Sequence, residues 1–377
     1  MSLAIHQLVD QKPSREALDA FLAEHTFPLV EGNSVTFVYR GAADRVELRH
    51  WIYGLGSSQP FTRVARTDFW YLVQTLPPQS RIEYKIDVIT GGNHHWLRDP
   101  LNANLAYDPF GANSVCHCSG YQTPDWTLPD DDARPGRLRE MSITSDVFGQ
   151  RRGFKVYLPA RYRPRRRYPL LVVHDGDDYL HFARLKTVLD NLIHRLEIQP
   201  MIVALTQSPD RLREYANDPR HARFLVEELV PELERKFPLI GDPAARGLLG
   251  ASFGGVASLS AAWNHPGFFG RLLLQSGSFG FTDIGDNPRG PAFEPVVRFI
   301  NAFRDQPIKL TQKIFQSCGV YESLIYENRS LLPLLQSTGM EVRYVEARDG
   351  HNWENWRDRL REGLSWLFPG PLWMVYE

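Results

Sequence analysis

The stretch Gly247-Leu248-Leu249-Gly250-Ala251-Ser252-Phe253-Gly254-Gly255 contains the pattern Gly-x-Ser-x-Gly between an apolar run and a stretch with helical character. A sharp turn from a strand into a helix needs small residues on both sides of its central residue, because neighbouring backbone comes close there. Such a turn lifts the serine hydroxyl above the end of a sheet. The pattern therefore predicts a nucleophile at Ser252.

Around this turn, strands alternate with helical stretches from Leu138 to the C-terminus, which is typical of a mostly parallel sheet covered on both faces. The apolar run from Tyr168 to His174 indicates a buried central strand. Together with the serine turn, this pattern predicts an α/β-hydrolase domain. Further strands are expected at 201–205, 246–249, 272–275, 313–318 and 341–346, with helices at 182–196, 225–237 (kinked at Pro231) and 354–368.

The N-terminal part has a different texture. After a short amphipathic helix at 14–23, apolar residues alternate with polar ones between 34 and 120, most clearly in Ile82, Tyr84, Ile86 and Val88. This alternation predicts a small immunoglobulin-like β-sandwich. A segment rich in Pro and Asp follows and indicates a linker. We therefore predict an N-terminal domain at 1–120, a linker at 121–137 and a catalytic domain at 138–377.

A serine hydroxyl needs a base, and in this fold the base is a histidine on the loop after the last strand. His351 occupies that place, between the predicted strand 341–346 and the closing helix. His174, at the end of a central strand, is the rival nearest to the expected site. We predict that His351 is the base.

The third catalytic member should be a carboxylate between Ser252 and His351 in the chain, after the strand 313–318. Glu322 is the first candidate and Glu327, about one turn further on, is the second. Asp349 is so near to His351 in the chain that a bond to its Nδ1 is awkward. Three other acids lie on segments that resemble a loop or a lid: Asp283, Asp286 and Asp305.

An oxyanion hole in this fold uses the backbone N–H of the residue after the nucleophile, here Phe253. A second N–H comes from the loop that follows an earlier strand. In this sequence that loop is His174-Asp175-Gly176-Asp177-Asp178, so the second donor is Asp177 or Gly176.

Composition excludes several classes of protein. Lys plus Arg (43) nearly balances Asp plus Glu (44), which argues against nucleic-acid and anionic-membrane partners. The N-terminus lacks the pattern of a signal peptide, and three cysteines suit a reduced compartment, so a soluble cytoplasmic protein is expected. The cluster Cys116-His117-Cys118 lacks the second ligand pair of a structural zinc site. We expect no metal, no cofactor, and a monomer or homodimer.

Taken together, LLVVHDG (170–176), SPDRLREYAND (208–218), LLGASFGG (248–255), LLLQSGSF (272–279), CGVYES (318–323) and DGHNWENWR (349–357) resemble the esterases related to enterochelin esterase. Those enzymes open the triserine lactone of iron-loaded catecholate siderophores. The resemblance implies a triad of Ser252, Glu322 and His351. It also implies that Arg211 and Glu214 match the Arg-x-x-Glu loop near the substrate. The sequence departs from that family at two places: the family's aromatic residues after the LLLQSGS segment are represented by Phe279, which is followed by Gly280, and Asn352 stands after His351 where an acid is frequent.

Three functions compete. The resemblance favours cleavage of a ferric siderophore ester. The alternative enzyme is a carboxylesterase acting on acylated sugars, with the sandwich gripping glycan through Trp51, Trp70 and Trp96, although tryptophans are more often core residues. A non-catalytic binding protein on a hydrolase scaffold is the third possibility, and the intact Ser, His and carboxylate set argues against it.

Overall fold

The structure is a computed structural model that describes residues 2–282 and 290–371. Asp283 and Asp286 lie outside the described residues. The chain divides into two compact units, which do not follow chain order strictly. The N-terminal unit runs to Thr123 and also includes Gly319–Glu322 and Ala347–Asn352. The second unit begins at Pro124 and contains the rest.

The N-terminal unit starts with two short helices and continues in strands. Within its described residues the strands form two antiparallel sheets, in the orders β1-β2-β6-β5 and β4-β3-β7-β10-β9, with β8 paired to β7. Ser14 caps the second helix by accepting a hydrogen bond from the N–H of Ala17. The elements are α1 (Ala4–Asp10), α2 (Arg15–Glu24), β1 (Leu29–Glu31), β2 (Ser34–Arg40), β3 (Arg45–His50), β4 (Ser58–Pro60), β5 (Thr62–Arg63), β6 (Phe69–Thr75), β7 (Arg81–Thr90), β8 (Asn93–Leu97), β9 (Leu105–Asp108) and β10 (Gly111–His117).

One buried cluster contains side chains from both sheets of this unit. Phe37 of β2 and Trp70 of β6 share it with Leu48 of β3 and with alternate residues of β7. The rings of Phe37 and Tyr84 meet edge to face at 4.9 Å. The period-two pattern of β7 thus supplies the apolar face that the other sheet covers.

The second unit alternates strands and helices. In chain order its elements are β11 (Arg137–Ser145), β12 (Gln150–Leu158), β13 (Leu170–Val173), α3 (Gly176–His181), α4 (Leu185–His194), β14 (Ile202–Thr206), α5 (Arg211–Glu214), α6 (Pro219–Arg223), α7 (Val230–Lys236), β15 (Arg246–Ala251), α8 (Phe253–Asn264), β16 (Arg271–Gln275), α9 (Glu294–Asp305), β17 (Lys313–Gly319), α10 (Ile325–Ser337), β18 (Glu341–Ala347) and α11 (Trp353–Leu367).

Eight strands form one sheet in the order β11-β12-β14-β13-β15-β16-β17-β18 within the described ranges. The strands from β14 through β13, β15 and β16 to β17 pair in parallel, whereas β11 and β12 are antiparallel. The central strands are buried on both faces, which explains their continuous apolar runs. In such a sheet, ligands bind beyond the carboxyl ends of the parallel strands.

The segment around Pro231 departs from the predicted kinked helix. Phe224–Leu229 forms a π-helix, and α7 begins at Val230, so that Pro231 falls in the first turn of α7. Leu229 and Val230 are themselves helical, so the helix continues through this point, and proline lacks the N–H that would donate to the preceding turn. The wide π-turn therefore accommodates the proline.

The Pro- and Asp-rich segment at 121–137 packs in part against α4. Trp126 is buried in a short 3-10 turn, and the amide of Asn191 donates to the carbonyls of Trp126 (2.9 Å) and Leu128 (2.7 Å). These contacts order the segment between Pro124 and the start of β11. No helix within 2–282 and 290–371 has both the length and the apolar composition needed to cross a membrane.

Candidate active site

The turn from β15 into α8 holds Ser252 in an uncommon backbone conformation. Its φ is 57° and its ψ is −121°, outside the regions that non-glycine residues usually occupy. A Cβ on Gly250 would lie 2.1 Å from the carbonyl oxygen of Gly254, and one on Gly255 would lie 3.1 Å from the Cα of Gly277. Close backbone approach therefore requires glycine at these positions and fixes the turn.

Ser252 is tied to the next strand and remains partly exposed. Its N–H donates to the carbonyl of Gln275 at 2.9 Å, and its Oγ lies 3.2 Å from the Oγ of Ser278. Phe253 is the first residue of α8, so its N–H has no acceptor within the helix. The serine hydroxyl thus lies at the positive end of a helix dipole. The neighbouring N–H of Phe253 is a donor of the kind that stabilises an oxyanion.

The loop after β13 holds the other predicted oxyanion donors. Asp175 adopts a left-handed conformation (φ 53°), and Gly176 and Asp177 open α3, where their N–H groups have no intrahelical acceptor. A Cβ on Gly176 would approach the Cβ of Leu205 to 2.5 Å, so this glycine is required by packing. The Asp177 carboxylate accepts a hydrogen bond from the ammonium of Lys155 at 2.7 Å.

His174 is part of a buried histidine pair. Its Nε2 lies 3.0 Å from the Nε2 of His221, and its Nδ1 faces Ser258 Oγ (3.1 Å) and the Leu249 carbonyl (3.3 Å). Ser258 donates to the carbonyl of Gly254, so His174 carries its proton on Nδ1 and accepts from His221. Burial lowers the pKa of His221 to about 4 and that of His174 well below its usual value. This neutral pair contacts the turn at Gly254 through Ser258.

Arg211 is held by Asp175. Its Nε lies 2.9 Å from both carboxylate oxygens of Asp175, and its Nη2 reaches the carbonyl of Ala251 at 3.4 Å. Burial raises the pKa of Asp175 to about 6, although the guanidinium opposes that shift. Arg211 thus links the oxyanion loop to the residue before Ser252.

Glu214 is buried in an ion pair that the sequence did not suggest. Arg152 donates to its two oxygens at 3.1 and 2.7 Å, and Ser208 donates to one of them at 2.7 Å. Its partner lies 62 residues earlier, on β12, where no motif marks it. Any influence of Glu214 on a substrate therefore passes through its neighbours.

The predicted base and its carboxylate lie on the two loops that belong to the N-terminal unit. Glu322 Oε2 is 2.6 Å from His351 Nδ1, while Glu322 Oε1 accepts the N–H of Gly319 at 2.6 Å. Glu322 is buried and His351 is exposed. The carboxylate bonded to His351 is therefore Glu322. The other candidate, Glu327, lies on α10. The bond between Glu322 and His351 favours the tautomer with the proton on Nδ1 and a lone pair on Nε2.

The three tryptophans considered as glycan contacts differ in exposure, and within the described residues the candidate metal ligands do not cluster. Trp70 is buried, but Trp51 and Trp96 are 53% and 55% exposed, so the general preference of tryptophan for the core holds for Trp70 and not for the other two. Trp96 lies on β8, which pairs only with β7 in the described sheet. Among residues 2–282 and 290–371, no three His, Cys, Asp or Glu side chains gather as a metal site.

A strained serine between a parallel strand and a helix, followed in the chain by a carboxylate and then a histidine bonded to it, defines a serine hydrolase with the α/β-hydrolase fold. The Esterase family matches residues 145–367, and the chain belongs to this family. It is a carboxylic ester hydrolase, and the resemblance to enterochelin esterases noted from the motifs is confirmed.

Two relatives and two solved structures show what this chain is similar to. The iron(III) enterobactin esterase of Escherichia coli (strain K12) is 26% identical over 367 residues, which cover 88% of this chain and 90% of that one. The iron(III) enterobactin esterase of Dickeya dadantii (strain 3937) is 28% identical over 250 residues, covering 64% of this chain but only 57% of that relative. The ferric enterobactin esterase of Salmonella typhimurium superposes with a TM-score of 0.72 at 22% identity, covering 89% and 93% of the two chains. A ferulic acid esterase gives 0.54 at 19% identity and covers 62% of this chain and 98% of that one.

Proposed function

We propose that this protein is a serine esterase that hydrolyses the ester bonds of a ferric catecholate siderophore such as enterobactin and thereby releases iron. The observation that carries the proposal is the likeness to enterobactin esterases across both units of the chain, at about 90% coverage. The ferulic acid esterase matches only 62% of this chain.

We assign the chemistry to Ser252, His351 and Glu322. The Ser252 hydroxyl attacks the ester carbonyl while His351 Nε2 takes its proton, and Glu322 orients the imidazole and stabilises its positive charge. The tetrahedral oxyanion accepts hydrogen bonds from the N–H of Phe253 and from Gly176 or Asp177. His351 then protonates the leaving alkoxide, and water attacks the acyl-enzyme by the same steps in reverse, which restores Ser252 and yields the acid.

We propose that the N-terminal unit is an immunoglobulin-like sandwich and that Arg211 contributes to recognition of the anionic complex. Asp175 neutralises much of the Arg211 charge, so the attraction should be weaker than that of an unpaired arginine. Glu214 acts indirectly, because Arg152 and Ser208 occupy its carboxylate. The cytoplasmic location and the monomeric or homodimeric state stay predictions from sequence.

A substrate panel tests the proposed function. A ferric triserine-lactone siderophore, its iron-free form, and feruloyl and acetyl sugars are incubated separately with wild-type protein and with Ser252→Ala, and products are identified by mass spectrometry. We expect the ferric lactone to give linear esters and monomers, with no turnover by Ser252→Ala. The exposed Trp51 and Trp96 make acylated sugars the relevant competitor. Efficient cleavage of those sugars without turnover of any siderophore ester would overturn the proposal.

A further inference from the structure

The two loops that carry Glu322 and His351 are bonded to residues from the first 123 positions of the N-terminal unit. The Tyr321 carbonyl accepts the N–H of Tyr53 at 2.7 Å, and the Tyr321 hydroxyl lies 2.5 Å from the Oγ of Ser80. The Tyr321 N–H donates to the carbonyl of Asp349 at 3.1 Å, which joins one loop to the other. Each loop therefore makes polar contacts within the N-terminal unit.

Arg81, the first residue of β7, forms hydrogen bonds to residues before and after His351 in the chain. Its N–H donates to the carbonyl of Arg348 at 2.9 Å, and its Nη1 donates to Asn352 Oδ1 at 3.0 Å. The same Nη1 lies 3.3 and 3.4 Å from the two carboxylate oxygens of Asp349. One side chain thus bonds to residues on both sides of the imidazole.

Asp349 organises the turn that Arg81 holds. Its Oδ1 accepts the N–H of Gly350 and the side-chain amide of Asn352, both at 2.7 Å. Arg81 and Asp349 are both nearly inaccessible to solvent, and Glu83 places a second carboxylate 3.1 Å from Arg81 Nη2. A buried ion pair contributes little net stability compared with apolar packing, but it specifies geometry when every group is bonded.

We propose that Arg81 is a positioning residue for the reaction: through Asp349 and Asn352 it fixes the turn that presents His351, so a strand of the N-terminal unit sets the orientation of the catalytic base. This inference rests on the role proposed above for His351. It assigns the N-terminal unit a part in catalysis that is separate from substrate binding.

A matched control lies in the same unit. Arg49 of β3 donates to the buried carboxylate of Asp87 on β7 at 3.0 and 2.8 Å, and its other ion-pair partner is Glu47. The Arg49 and Arg81 side chains both pair with fully or nearly buried acids. Loss of Arg49 should therefore perturb the sheet without touching the turn at 349–352.

The test compares Arg81→Met, Arg81→Lys, Asp349→Asn, the double variant Arg81→Met/Asp349→Asn, and Arg49→Met. Their kcat and KM are measured with p-nitrophenyl acetate, after circular dichroism has established folding. We expect Arg81→Met to lower kcat by about 10- to 100-fold with KM within about twofold, because a small misplacement of a catalytic group costs that much. Arg81→Lys should recover only part of kcat, since an ammonium lacks the planar fork that reaches Asp349 and Asn352 together.

Two further outcomes separate positioning from general destabilisation. Arg49→Met should lower the melting temperature as much as Arg81→Met does, yet keep kcat within about twofold of wild type. The double variant should lose no more than its worse single variant, because both residues act through one turn. Wild-type kcat in folded Arg81→Met, or equal kcat losses in Arg81→Met and Arg49→Met, would overturn the inference.

If Arg81→Met does not fold, Asp349→Asn carries the test, because asparagine keeps the shape and removes the charge that Arg81 binds. A lower kcat at unchanged KM supports the inference, and unchanged kcat overturns it. The small neutral ester keeps this test independent of the natural substrate. If the siderophore proposal fails, p-nitrophenyl acetate still reports on Arg81, whereas activity retained by Ser252→Ala would refute the catalytic assignment itself.

Discussion

The turn that carries Ser252 and the loop that carries His351 are held in place in opposite ways. Ser252 is fixed by backbone conformation and by glycines that lie two to three residues from it in the chain. His351 is fixed by polar side chains, and the bond between Arg81 and Asp349 joins residues 268 positions apart. The first arrangement is local and steric, while the second is long-range and electrostatic.

This difference determines how each region responds to substitution. A steric turn fails when any atom is added, because a well-packed interior cannot absorb the volume. A polar network fails when one partner is removed, because the remaining buried group loses its hydrogen bonds. The turn that carries Ser252 should therefore be sensitive to added atoms, and the loop that carries His351 should be sensitive to the loss of charged groups.

Large effects are expected from substitutions at His351 and Glu322. His351→Ala should lower kcat by on the order of 10⁶-fold, and Glu322→Gln by about 10⁴-fold, because the carboxylate acts only through the imidazole. Glu327→Gln is the matched control on α10 and should keep most of the activity. Initial rates with p-nitrophenyl acetate measure all three. Equal activity of wild type and Glu322→Gln, with a large loss in Glu327→Gln, would transfer the role to Glu327.

Substitutions of Gly250 and Gly350 compare the packing of the two regions, with smaller expected effects on activity. Gly250→Ala places a methyl group 2.1 Å from a backbone oxygen, so we expect the free energy of unfolding to fall by about 3 kcal/mol and kcat by about 100-fold. The nearest atom to a methyl group on Gly350 would be 3.6 Å away, an ordinary contact. Gly350→Ala should therefore change stability by less than about 1 kcal/mol.

Urea unfolding and kcat measure both glycine variants. Comparable losses in the two would show that the base loop is as tightly packed as the serine turn. The distinction between steric and electrostatic support would then be wrong.

The sequence predicted the local region well. The Gly-x-Ser-x-Gly pattern carries its own steric requirement, so the strand, the serine and the following helix could be located before any tertiary contact was known. The alternation in β7 and the apolar run of β13 were equally informative, because their burial follows from period and length. The strand β15 extends to Ala251, two residues beyond the predicted end at 249.

Long-range polar contacts could not be predicted in the same way. Nothing in the residues around Arg81, Arg152 or His221 indicates which side chain each will meet, because the partners lie 47 to 271 positions away. The Arg-x-x-Glu resemblance directed attention to Glu214 as a substrate contact, whereas the structure buries its carboxylate against Arg152. Residue type alone also could not decide which of Trp51, Trp70 and Trp96 is exposed, because tryptophan is more often buried.

If the proposed mechanism holds, ester cleavage of the ferric siderophore proceeds through a covalent acyl-enzyme on Ser252. Rapid quenching with acid during turnover of the ferric triserine lactone, followed by tryptic digestion and mass spectrometry, tests it directly. We predict an adduct of the siderophore acyl group on the peptide 247–271, which contains Ser252 and is bounded by Arg246 and Arg271, and no adduct or turnover in Ser252→Ala. An adduct confined to another peptide, or undiminished hydrolysis by Ser252→Ala, would contradict the account.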